Sequence, residues 1–244
     1  MRFFAVVLLI LSSLLLASCE AKFNWPWLEK KEQSSTENRS IGSFTGVVLE
    51  GMGKLVFDPS IPPGILQIQA DRGHLAAIET LTNGTTLSIN EKGIQGPGSW
   101  DIVFRVAPPA DLAEITLGGM GSIGTVSPLK TTAHLVVLLN GMGRIELAVE
   151  APSVAAHQNG SGELVVKGKT GSVTVKADGL GRVDTSELIT ANADVRSDGV
   201  GEVRVYASEN LKVRAQGLGA VRFMGHPATT DVQTEGLTKV SAED

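Results

Sequence analysis

The stretch "KADGLGRVDTSELITANADVRSDGVGEVRVYASENLKVRAQGLGAVRFMG", residues 176–225, carries Gly-x-Gly at 179–181, at 199–201 and again at 217–219. One such triplet can cradle a phosphate, but three at a spacing near 20 residues describe a structure that repeats. Extending the register places the first glycine of each triplet at Gly119, Gly141, Gly160, Gly179, Gly199, Gly217 and Gly236. The second glycines are Gly121, Gly143, Gly162, Gly181, Gly201 and Gly219, and only the last triplet has another residue, Thr238. Four residues before the first glycines stand Ile115, Val137, Ala156, Val175, Val195, Val213 and Val232. Four residues after them stand Ile123, Ile145, Leu164, Val183, Val203, Val221 and Val240. Polar residues alternate with these, so each repeat reads as a strand, a tight corner and a second strand with one side inward.

A unit this short cannot bury its apolar side alone, whereas stacked units can. The pattern therefore predicts an all-β, single-domain parallel β-helix with coils of 19–20 residues turning at Gly-x-Gly corners. A right-handed coil is expected, because the hexapeptide pattern of left-handed ones is absent. Glycine suits a corner that needs positive φ or has no room for a Cβ. The residue between the glycines (Met120, Met142, Ser161, Leu180, Val200, Leu218 or Leu237) is mostly apolar and is expected to point into the core. The segment "GVVLEGMGKLVF", residues 46–57, has the same offsets around Gly51 and Gly53 and predicts an early coil. Residues 58–112 keep β character but lose the period at "DPSIPPG", "EKGIQGPGSW" and "APPAD", and are expected to cap the N-terminal end.

"FTGVVLEGMGKLVF", the corner series GMG, GMG, GSG, GLG, GVG and GLG, and the closing "GHPATTDVQTEGLTKVSAED" together resemble the putative auto-transporter adhesin head GIN domain family. The resemblance covers about residues 44–242. It implies a β-helical domain of secreted and lipid-anchored bacterial proteins, and its name implies adhesion.

The chain opens "MRFFAVVLLILSSLLLASC". Arg2 precedes an apolar run over residues 3–16, shorter than the ~20 residues a spanning helix needs, so a signal peptide is predicted for residues 1–18. Leu16, Ala17, Ser18 and Cys19 resemble the lipobox of bacterial lipoproteins, which implies an acylated Cys19 and a membrane as partner. Cys19 is the only cysteine, so no disulfide framework is available. Glu20 in place of Asp implies, by the sorting rule of Gram-negative lipoproteins, the outer membrane. Residues 19–43, polar apart from "FNWPW", read as the lipidated cysteine and a tether, leaving 44–242 as the β-helical domain.

Net charge is −5 with both signs interspersed, which excludes the basic stripe that nucleic acid requires. "GMGSIG" at 119–124 spells G-x-G-x-x-G, yet "TVSPLKTTAHLVVLL" follows it, with a proline and then a strand where a nucleotide site needs a helix. Neither nucleotide nor cofactor is expected. His74, His134, His157 and His226 have no metal-ligand spacing, so no metal is expected either.

One position before each corner stand Gly118, Asn140, Asn159, Asp178, Asp198, Gln216 and Glu235. Adjacent coils lie ~4.8 Å apart, so Asp178 and Asp198 become neighbours, near the separation of the two acids of retaining glycosidases. The competing reading is a ladder of side chains that cap turn backbone, as Asn and Asp do well. A further row, Arg144, Glu163, Arg182 and Glu202, alternates in sign from coil to coil. The function expected is a non-catalytic, lipid-anchored envelope protein acting in adhesion or in binding a glycan or envelope protein. Two alternatives stand beside it: a polysaccharide-active enzyme using Asp178 and Asp198, and a structural or sensory envelope protein.

Overall fold

A computed structural model of the protein describes residues 34–92 and 101–243. The chain winds through about seven coils of a β-solenoid. Strands entering the corners are β2 (Gly46–Leu49), β8 (Glu114–Leu117), β11 (Leu135–Leu139), the ends of β12 (Met142–Gln158) and β13 (Ser161–Ala177), β16 (Asn192–Ser197), β18 (Asn210–Ala215) and β20 (Thr229–Thr234). Strands leaving them are β3 (Gly53–Phe57), β9 (Met120–Thr125), the starts of β12 and β13, β14 (Leu180–Thr185), β17 (Val200–Tyr206), β19 (Leu218–Met224) and β21 (Leu237–Ala242). Each set stacks in parallel. A short third side joins β10 (Leu129–Lys130) and β15 (Leu188–Ile189) to the middles of β12 and β13. Departures from a constant coil length are absorbed there, between Thr125 and Leu135, between Thr185 and Asn192 and between Tyr206 and Asn210.

The register places like on like. Val137, Ala156, Val175, Val195 and Val213 form one ladder, and Ile123, Ile145, Leu164, Val183, Val203 and Val221 another. All of them are buried. Val232, in the last entering strand, is 39% exposed, because among the described residues no further coil covers it.

Residues 58–112 form the expected cap. β6 (Thr86–Glu91) and β7 (Val103–Val106) extend the two faces in parallel beside β2 and β3. The pairing then reverses, with β5 (Ile78–Asn83) antiparallel to β6 and β4 (Ile65–Asp71) antiparallel to β7. A single helical turn, α1 (Arg72–Leu75), joins β4 towards β5. Phe57, Phe104, Leu66 and Ile68 fill the core of the cap. Residues 34–40, read above as tether, are strand β1 (Ser34–Ser40), antiparallel to β4. Their polarity hid the strand because β1 is an outer edge without a buried face. Arg39 fixes it by donating to the carbonyl oxygens of Ile78 (2.6 Å) and Leu75 (2.8 Å).

The expectation for the residue between the glycines is overturned. Met142 is 55%, Leu180 57% and Leu218 51% exposed. The strand alternation runs unbroken through the corner, so Leu139 and Ile145 face inward while Asn140, Met142 and Arg144 face outward. The glycines pass closest to the preceding coil: a Cβ on Gly179 would meet the carbonyl oxygen of Gly160.

Beneath the corners, Leu139, Gln158, Ala177, Ser197 and Ala215 share one inward row. Gln158 is 2% exposed, and its Nε2 donates to the carbonyl oxygens of Gly162 (2.8 Å) and Leu180 (3.2 Å). It ties two successive corners together at the level where the row shrinks from leucine to alanine. Gln158→Ala removes both bonds and leaves a void, and is expected to lower unfolding free energy by about 2 kcal/mol in a urea titration.

Candidate functional site: the corner ladder

Every outward position at the corner is continued by its equivalent on the next coil, so the edge carries rows rather than isolated side chains. In the polar row, Asn159 Nδ2 donates to Asn140 Oδ1 at 2.8 Å. Asp178 and Asp198 follow on the next two coils, and each is met by a cation from its own strand. Lys176 Nζ lies 3.1 Å from Asp178, and Arg196 Nε 2.7 Å from Asp198. Two residues back along a strand is the same face, so this pairing could have been read from "KAD" at 176–178 and "RSD" at 196–198. The hydrogen bond that Arg196 donates to Asp198, aided by that carboxylate's charge, raises the pKa of the guanidinium above its ordinary range. The two carboxylates are thus the anions of a mixed-charge edge, and each is already engaged.

The neighbouring row behaves as its signs require. Glu163 pairs with both Arg144 and Arg182, and Arg182 also lies 3.2 Å from Glu202. Between these rows runs the apolar one: Met120, Met142, Ser161, Leu180, Val200, Leu218 and Leu237. An exposed row that is apolar at six of its seven levels, interrupted by Ser161, is unusual on a protein surface and marks a place of contact.

A shallow hollow of about 400 Å³ opens on the face of the leaving strands, lined by Lys54, Ser122, Gly124, Arg144, Glu146 and Lys167. It forms because Ser122 and Gly124 present little side chain between coils that carry longer ones. That contrast becomes visible only once the coils are stacked.

The histidines do not converge. His134 Nδ1 lies 2.6 Å from Ser153 Oγ, and His157 stacks beside Lys176. Burial, reinforced by the Lys176 charge, pushes the His157 imidazole below its ordinary range. Among the described residues no group of His, Cys, Asp and Glu could hold a metal ion. "GMGSIG" runs straight into strand β9. Gly121, Gly143, Gly162, Gly181, Gly201 and Gly219 stack one above another from coil to coil. Leu16, Ala17, Ser18 and Cys19 lie outside the described residues.

No curated protein matches the sequence. Among solved structures, a "putative adhesin" from Bacteroides fragilis superposes with a TM-score of 0.78 at 16% identity, covering 86% of this chain and 97% of that one. A "putative adhesin" from Parabacteroides merdae gives a TM-score of 0.58 at 16% identity, over 86% and 97% of the two chains. A "putative lipid binding protein" from Parabacteroides distasonis gives 0.55 at 16% identity, over 86% and 98%. At this identity the likeness speaks for the fold. Residues 43–227 match the family described as "Putative auto-transporter adhesin, head GIN domain". With its fold, its corner ladder and this match taken together, the chain belongs to that family.

Proposed function

We propose that the protein is a non-catalytic contact module of the cell envelope, held to a membrane through an acylated Cys19 and binding a glycan or an envelope protein along its corner ladder. The observation that carries this reading is the exposed aliphatic row lying between two hydrogen-bonded polar rows. Such an edge offers apolar contact and repeated donors and acceptors at one pitch, which suits an extended ligand. The adhesin names of the family and of two structural relatives support the same reading. Against the enzyme alternative, a general acid needs a carboxyl set apart from its neighbours, whereas Asp178 and Asp198 each hold a cation.

The test is a glycan array and an envelope-protein overlay probed with the mature chain, beside Asp178→Asn/Asp198→Asn. Binding that falls at least tenfold in the double variant, without turnover of the bound glycan, is the expected result. Turnover abolished by the same variant would replace the contact module with the enzyme. Anchoring is tested separately: labelled palmitate should enter the wild-type chain and not Cys19→Ala.

A further inference from the structure

We propose that the outward face of the leaving strands is a self-association surface, on which a second copy of this chain docks end for end about a two-fold axis. The proposal deepens the contact-module reading and rests on it, because it uses the same exposed edge.

The argument begins with pitch. The aliphatic row repeats once per coil, ~4.8 Å apart, and a partner matched over its whole length must repeat at the same interval. A second copy does so by construction.

Charge then selects the orientation. On the leaving strands, Arg144, Glu163, Arg182 and Glu202 occupy four successive levels. A two-fold axis midway between Glu163 and Arg182 sets Glu163 opposite the second copy's Arg182, and Arg144 opposite its Glu202. In the next outward row the same axis sets Glu146 opposite Arg204, while the two central levels, Val165 and Asp184, face each other without pairing. On the other side of the aliphatic row, Asn159 comes opposite Asp178 and Asn140 opposite Asp198, an amide donor against a carboxylate each time. Moving the axis by half a coil step sets Arg182 against itself. Two rows are therefore complementary at all four levels about a single centre, and the third at its outer levels, which is the property an isologous interface needs.

The charges already pair within the chain, but they do so in water, where such pairs contribute little and can be shared with a partner. They fix register, while the aliphatic row supplies the affinity. Six levels by three rows cover on the order of 500–600 Å² per copy, at the lower limit for a specific interface, so a dissociation constant of roughly micromolar order is expected. The end-for-end arrangement sends the two N-terminal caps to opposite ends. Anchored copies would then meet from facing surfaces, which makes the contact an adhesive one.

The experiment is sedimentation velocity on the mature chain from residue 20 onward, whose described residues form one compact unit with its own core, over about 1–300 µM. A monomer–dimer equilibrium is expected. Leu180→Asp, at an exposed position, should weaken it at least tenfold, as should Arg182→Glu. Glu163→Arg/Arg182→Glu, which restores opposite charges across the axis, should return to within about threefold of wild type. Lys212→Glu, on the entering strands, should leave it unchanged. A monomer throughout the range, a dimer indifferent to Leu180→Asp, or a charge swap that fails to restore the single variant would each overturn the proposal. If Arg182→Glu does not fold, Leu180→Asp still decides. Failure here alongside intact glycan or protein binding would sink self-association alone; loss of both would sink the contact module.

Discussion

Gly179→Ala is expected to lower the unfolding free energy by about 3 kcal/mol or more, whereas Leu180→Ala next to it should stay within about 0.5 kcal/mol of wild type. The inversion of the usual order follows from the corner. Leu180 projects into solvent, so truncating it removes almost no buried area. A methyl on Gly179 would be driven into the backbone carbonyl of Gly160, and neither coil can move away without breaking its ladder. Gly181 carries a second penalty, since its φ of +131° is one that residues with a Cβ rarely adopt. Urea titrations of the three single variants check this. Equal midpoints for Gly179→Ala and Leu180→Ala would mean that the coils are not packed at the corner as described.

The second large effect concerns whole coils. Each coil touches only its neighbours, so stability is a sum of coil and interface contributions. Deleting residues 160–198 removes two coils and joins Asn159 to Gly199, so one Gly-x-Gly corner follows the preceding coil as before. The deletion also brings Glu202 above Arg144 and keeps the signs alternating. This variant should fold cooperatively, with an m-value lowered roughly in proportion to the chain removed. Deleting 160–178 keeps the backbone register but places Arg182 above Arg144, and should be the less stable of the two despite retaining more chain. Deleting 160–189, which cuts mid-coil, misaligns every later inward position and should abolish cooperative unfolding. Circular dichroism during chemical denaturation distinguishes all three. A folded mid-coil deletion would contradict the stacking.

Much of this architecture could be read from spacing alone, because a solenoid writes one rule many times. Val175, Val195 and Val213 are neighbours in space for the same reason that they are regular in sequence. What escaped reading had local causes. Leu180 looked like core because it is apolar, yet direction at a corner depends on whether alternation persists through two glycines, and here it does. Strand β1 looks like tether because the half-buried face of this edge strand is lined by Ser35, Glu37 and Arg39, which gives it the composition of a linker. Lys176 and Arg196 pair with Asp178 and Asp198 along one strand, a relation that a comparison between coils does not bring out.

The stacking direction has a mechanical meaning. Hydrogen bonds between coils run along the stack axis, so a pull applied along that axis at one end of the stack loads them end on, one ladder at a time. Among the described residues the last coil is paired on one side only, and it is the one expected to yield first. Each coil that peels away releases about 19 residues, or roughly 60 Å of slack, while the coils behind it stay intact. A tensioned molecule would lengthen in even steps and rewind when the load falls, making the repeat a spring with a built-in stroke as well as a scaffold.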